Sequence, residues 1–290
     1  MLPIIGIGVI FACVFGGFIL ACGKLEAVLH ALPFEGLQIF GAAIGAFIIG
    51  NDMPIVKAAL GGMGGVFTGA KWKGPDYKDL LCLLYVLKGM MKTKGMIAIE
   101  QHIENAKESG IFQRYPKIIA DHFACDFICD TLRMMSLNLE DPHQVENAME
   151  RQLEKHHHES DAASGAIQSM ADAMPALGIV AAVLGIIKTM GSISEPPEIL
   201  GHMIGGALVG TFLGVFLAYG FIGPIAGRMK QIAGDDAQYY AIIRDVLVAH
   251  LHGNAAQVSM EIGRGNVPSP IQPSFLEMEE AVKDIPPEVG

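Results

Sequence analysis

The stretch VGTFLGVFLAYGFIGPIAG, Val209 to Gly227, decides how the chain is read. It is long and apolar enough to cross a bilayer, yet it carries one aliphatic hydroxyl, at Thr211, one proline at Pro224 and no carboxylate. Starting just before it, Gly206, Gly210, Gly214 and Ala218 recur at a spacing of four. Lipid tails are as apolar as leucine, so membrane helices associate by close packing, and such a small-residue stripe marks a face made for another helix. Ala207, Thr211, Gly214 and Ala218 fall at i, i+4, i+7 and i+11, which puts the hydroxyl on the same small-residue side. If the span enters near Gly201, ten residues at about 1.5 Å each set Thr211 roughly 15 Å deep, half of a hydrocarbon core of about 30 Å. The expected site is therefore a midplane wall of small residues, Ala207, Thr211 and Gly214.

Three more apolar runs accompany this one: Leu2 to Cys22, Leu37 to Gly50 and Met174 to Met190, with Met203 to Ile225 as the fourth. Each is near the length that spans a bilayer. The first has no basic segment ahead of its apolar core and is read as a span rather than a cleaved signal. A hydrophobic fraction of 51%, 17% charged residues and 35 glycines fit the same class and exclude a single soluble core. Small-residue stripes recur in the third run (Gly178, Ala182, Gly185, Thr189) and in the second (Gly41 with Gly45, and Ala42 with Ala46 and Gly50).

Orientation follows from the basic residues. Runs one and two are joined by a segment whose only basic residue is Lys24, and GSISEPPEIL from Gly191 has neither Lys nor Arg. Seven lysines lie from Lys57 to Lys94, and Arg228 and Lys230 follow the fourth run. The positive-inside rule then makes the middle segment and both termini cytoplasmic. The expected divisions are residues 1–51 for spans one and two, 52–172 for a helical cytoplasmic domain, 173–226 for spans three and four, and 227–290 for a cytoplasmic tail. That tail holds nine acidic residues after Arg228 against five basic ones from Arg228 onward, and reads as solvated. The formal charge of -10 owes much to it.

The middle segment has helical periodicity. DYKDLLCLLYVLKGMMK repeats apolar residues at three and four, MIAIEQHIENAKESG is expected to end on Gly110, and YPKIIADHFACDFICDTLRMM starts with a proline in its first turn. Asp141-Pro142 opens a helix with no strong breaker before Pro175, which predicts one long helix running straight into the third span. Pro175 and Pro224 then fall at the same membrane face, each freeing a carbonyl, those of Ala171 and Gly220, and together predict a hinge layer.

The census of ionisable groups is negative. Glu35 and Asp52 flank the second run, Asp172 precedes the third, and Lys188 and His202 sit near external ends, which leaves no carboxylate inside the four runs. Proton relays within membranes use titratable groups, so the chain by itself lacks the expected one. The five cysteines have no framework spacing; Cys125 and Cys129 share a stripe with Ile118 and Leu132 and read as packing, with no structural metal expected there. His156, His157 and His158 point about 100° apart on a helix and do not form a ligand set. Lys71, Trp72 and Lys73 read as an interfacial anchor. No phosphate loop or aromatic-basic series supports nucleotide or nucleic-acid binding.

GGFIL from Gly16, FIIGN from Phe47, HIENAKESGIF from His102, ADAMPALGIVAAVLGI from Ala171, VGTFLGVFLAYGFIGPIA from Val209 and PSFLEMEE from Pro273 stand in one order along the chain to about Glu280. In this the chain resembles the MotA family of flagellar stator subunits. The resemblance implies an all-α inner-membrane protein with four spans, of which five copies surround two copies of MotB, whose single span supplies the missing aspartate. It places Thr211 beside that aspartate, makes Pro175 and Pro224 coupling residues, and implies H+ as the ion and no cofactor. Family residues that meet the rotor protein FliG map onto Lys92 and Glu100. Lysine stands where arginine is usual, which keeps the charge and loses the planar fork, so the contact is expected to be weaker or shared with Lys88 or Lys94. The rival readings are an ExbB- or TolQ-type energiser of envelope processes, usually with three spans, and a non-conducting scaffold that docks a partner.

Overall fold

A computed structural model describes residues 2–23, 25–137 and 141–285. Lys24, which enters the orientation reading, lies outside the described residues. Those described build helices and no strand. Four helices are long and apolar enough to cross a membrane: α1 (Leu2–Leu20), α2 (Leu25–Gly50), α8 (Pro142–Met190) and the continuous rod made by α9 (Pro197–Leu217), a π turn (Ala218–Ile222) and α10 (Gly223–Leu251). The shorter helices are α3 (Met53–Thr68), α4 (Gly74–Lys94), α5 (Ile97–Glu104), α6 (Pro116–Ala120), α7 (His122–Ser136), α11 (Ala256–Gly265) and α12 (Phe275–Lys283).

The long helix expected after Asp141 is present. Asp141 Oδ1 accepts from the His143 N–H at 3.0 Å, and α8 then runs 49 residues through Pro175 into the third span, roughly 74 Å at 1.5 Å per residue. Three local readings need correction. The helix expected to end on Gly110 stops at Glu104. The one from Pro116 breaks at Asp121, whose side chain accepts from the Ala124 N–H at 2.7 Å and caps a new helix. The second span begins at Leu25 rather than Leu37, because α2 continues through Pro33. Prolines inside membrane helices are tolerated where neighbours supply the lost bonds.

Two compact units divide the contacts. The first comprises residues 1–69 and 159–232 and includes α3, so it takes in more of the chain than the four runs alone. Here α2 packs along α9. Its buried stripe is Ala31, Glu35, Ile39, Ala43 and Phe47, every fourth residue, whereas Gly41 and Gly45 meet nothing within 4 Å. Within this chain the second span packs through the stripe from Ala31 to Phe47, and the expected Gly41 and Gly45 face is left open. Phe11 and Phe15 of α1 join Phe212, Phe216 and Phe221 in an aromatic cluster with ring centroids 5.2–6.1 Å apart, while the rest of α1 presents apolar side chains outward, as lipid contact requires.

The second unit, residues 70–158 and 233–290, is built around α4, whose Leu80, Leu81, Leu83, Leu84 and Leu87 are fully buried. Helices α11 and α12 pack on α4, and Tyr239, Ile242, Ile243 and Leu247 of α10 enter the same core. The segment read as a solvated acidic tail thus completes this core; its acidic residues cover the outside while the apolar stripe between them faces α4. PSFLEMEE forms a capping box, with the Glu277 N–H donating to Ser274 Oγ at 3.2 Å and the Ser274 N–H donating to Glu277 Oε2 at 2.6 Å. Trp72 is 2% exposed and stacks on Tyr239 with centroids 3.8 Å apart, so it is a core residue and not an interfacial anchor. Cys125 and Cys129 are buried with Ile118 and Leu132, in the packing role expected of them. His156 stacks on Phe123 at 3.7 Å.

Candidate functional site

Small residues bring α8 and α9 to backbone contact. A Cβ placed on Gly178 would lie 2.8 Å from the Gly210 carbonyl oxygen and 3.1 Å from Gly214 Cα; one on Gly214 would lie 2.7 Å from the Met174 carbonyl oxygen. Real Cβ atoms do not come so close, so glycine is required on both sides of this seam. Further along, Ala207 Cβ fills the space above Gly185. The stripes expected on the third and fourth spans therefore meet each other. Ala207 and Gly214 are buried in the seam, and Thr211, between them in sequence, is only half-buried.

Pro175 is half-buried in the interior of α8, and Pro224 is exposed two residues beyond the π turn. In that turn the Gly223 N–H donates to the Ala218 carbonyl, one residue further back than in an α-helix, and a Cβ on Gly223 would lie 2.9 Å from that oxygen. The wide turn absorbs the proline ring and continues into α10. Gly220, Gly223 and Pro224 were visible in the sequence as a weak point; that it resolves as a π turn was not. A cavity of about 220 Å³, lined in part by Ile7, Ile10, Phe221 and Pro224, lies against it.

Lys92 lies in the last turn of α4 and Glu100 in the first turn of α5, and both are exposed. Gly95, at φ +83°, turns the chain between them. Lys94 is exposed alongside, but Lys88 is not available to share an outward contact. It is 2% exposed, and its ammonium donates to the Ala255 carbonyl at 3.1 Å and to Ser259 Oγ. Burial, followed by the nearby charge of Lys92, pushes it down to about 8. Asp121 is also buried, which alone would raise its pKa, yet hydrogen bonds from Lys71, the Ala124 N–H and Tyr240 outweigh that and hold it below the usual carboxylate range.

The census of ionisable groups also needs correction. Glu35 does not flank the second span; it sits in the buried stripe of α2, 8% exposed. Its Oε2 has no hydrogen-bond partner among the described residues and lies 2.6 Å from where a Cβ on Gly210 would stand. The residue preceding Thr211 is thus glycine where a carboxylate arrives from another helix. The every-fourth-residue stripe from Ala31 to Phe47 was the signal in the sequence, hidden by bounding the span at Leu37.

A family model for the Motility protein A N-terminal region matches residues 4–95, and one for the MotA/TolQ/ExbB proton channel family matches residues 120–241. The fold and seam are therefore those of a channel-type subunit integral to the inner membrane. The chain is 38% identical over 285 residues to "Motility protein A" of Escherichia coli (strain K12), covering 98% of this chain and 96% of that protein. It is 34% identical over 280 residues to "Chemotaxis protein LafT" of Vibrio parahaemolyticus, covering 97% and 98%. In fold it resembles a chain of C. jejuni MotAB (TM-score 0.72, 20% identity, 94% of this chain and 98% of that one) and one of the flagellar MotAB stator complex from Bacillus subtilis (TM-score 0.70, 21% identity, 92% and 96%). The chain belongs to the Motility protein A family, within the MotA/TolQ/ExbB proton channel family.

Proposed function

We propose that this stator subunit forms the wall of a proton path whose moving carboxylate comes from MotB. Five copies would surround two copies of MotB, with both termini of this chain in the cytoplasm, H+ as the ion, and no cofactor. The observation that carries the reading is the α8–α9 seam, closed by glycine contacts that leave Thr211 half-exposed beside it. A carboxylate entering there meets a hydroxyl that can donate or accept and a surface of small residues that lets it pass close. Its protonation from outside and release inside would change the charge the surrounding helices accommodate, and a two-state element responds to such a change. Pro175 and the π turn before Pro224 are the compliant points at which α8 and the α9–α10 rod would bend. Movement would leave through Lys92 and Glu100, whose exposed opposite charges suit charged partners on FliG. The chain acts as a transport and coupling subunit rather than an enzyme.

The match of the N-terminal motility model to residues 4–95 favours flagellar work over the ExbB- or TolQ-type alternative. Glu100→Lys reverses one of the two outward charges. Cells carrying it are expected to assemble stators and lose most of their swimming speed; full torque would contradict the proposed rotor contact.

A further inference from the structure

The Glu35 carboxylate has no assigned task, and its surroundings define one. It borders a cavity of about 350 Å³ formed by α2, α8 and α9, lined among others by His30, Gln38, Lys188, His202 and Ala207. His30, Gln38, Lys188 and His202 are exposed at its mouth. Glu35 is the buried member, with Oε2 shut from solvent and unpartnered, directed at Gly210. Leaving a carboxyl oxygen unpaired in a membrane helix costs several kcal/mol at the upper end, so such groups face cavities and serve pathways. The titratable and charged groups that line the cavity are His30 and Glu35 from α2, Lys188 from α8 and His202 from α9. Ala207 lines the same cavity one helical turn before Thr211. The space is roomy enough for several waters, and polar enough at its rim to hold them.

We propose that Glu35 is a proton relay at the external mouth, taking a proton from hydronium in this cavity, releasing water, and handing the proton on toward the partner carboxylate beside Thr211. This rests on the reading of the chain as part of a proton path. The deprotonated Glu35 is then recharged from the cavity, so no group is consumed. Glycine at 210 keeps the way open, since any side chain there would collide with the carboxylate.

The test is proton uptake into vesicles holding the full chain with its one-span partner, followed with a pH dye across external pH, for the native chain, Glu35→Gln and Glu35→Asp. Glutamine keeps size and hydrogen bonding and cannot carry the proton. Uptake in Glu35→Gln is expected to fall about tenfold, less than the ~100-fold or more that a group acting on a reacting bond supplies. Its external-pH profile should shift, assembly with the partner should be unchanged, and Glu35→Asp should recover part of the flux. A Glu35→Gln complex with native flux and an unshifted profile overturns the relay while leaving the channel reading intact. Flux that requires sodium in place of choline overturns the assignment to protons. No flux in the native complex removes the channel reading itself.

Discussion

At the scale of single residues, Thr211 and Lys88 show opposite uses of a polar group. Thr211 is left half-exposed beside a glycine seam, whereas Thr189, on the neighbouring α8, donates to the Gly185 carbonyl at 2.9 Å. A hydroxyl that serves a path tolerates serine; one that only fills space tolerates leucine equally. Motor speed is expected to stay near native in Thr211→Ser and to fall at least about tenfold in Thr211→Leu, the reverse order contradicting the assignment. Lys88 instead is held inside the second unit. Its folded value near 8 lies below the ordinary 10.5, so between those values the unfolded chain binds more protons and stability rises with pH. The gain reaches on the order of 3 kcal/mol at most, and is absent below about pH 8. Trp72, the single tryptophan, sits in that core and reports unfolding by its fluorescence. Lys88→Met is expected to flatten the rise; an unchanged slope would place its cause elsewhere. The place of Thr211 beside small residues was legible in the sequence because Ala207 lies four before it and Gly214 three after it. Lys88 was not, because its burial depends on Ala255 and Ser259, about 170 residues away.

Among the elements, the seam of α8 and α9 and the π turn bear most of the account. Gly178→Val would push two methyl groups toward the Gly210 carbonyl, already 2.8 Å from an ideal Cβ. Overpacking of this kind costs about 1–3 kcal/mol, and the spans must separate to relieve it. Thermal unfolding in detergent and copurification with the partner should both deteriorate, whereas Gly41→Val, on a face with nothing within 4 Å, should leave the chain's own unfolding unchanged. The stripes on the third and fourth spans were readable as faces made for other helices; that they close on each other was not, because the second span carried such a stripe as well. The faces of α2 were not: glycines 41 and 45 advertised a contact, while the buried stripe contains the carboxylate that the same reading set outside the membrane. At the π turn, Gly223→Ala would meet the Ala218 carbonyl at 2.9 Å and force the turn back toward α geometry against Pro224. Torque at high load should fall in that variant with stator assembly retained, since the change touches the bend and not the seam.

For the whole molecule, the continuous helices matter more than any domain boundary drawn at the membrane. The third and fourth spans were legible as apolar runs, and α8 was legible as a single helix because nothing between Pro142 and Pro175 breaks it. The continuation of the fourth span was not, since the acidic surface of residues after Arg228 conceals the apolar stripe of Tyr239, Ile242, Ile243 and Leu247. Both units thus receive residues from α8 and from the α9–α10 rod. The central claim is that this chain is a wall and that the moving charge belongs to another. It is tested most directly by proton uptake into vesicles containing the full chain alone, the chain with a one-span partner bearing a membrane aspartate, and the chain with that aspartate changed to asparagine. Uptake is predicted only in the second case. Equal uptake with the neutralised partner, or by this chain alone, would contradict it.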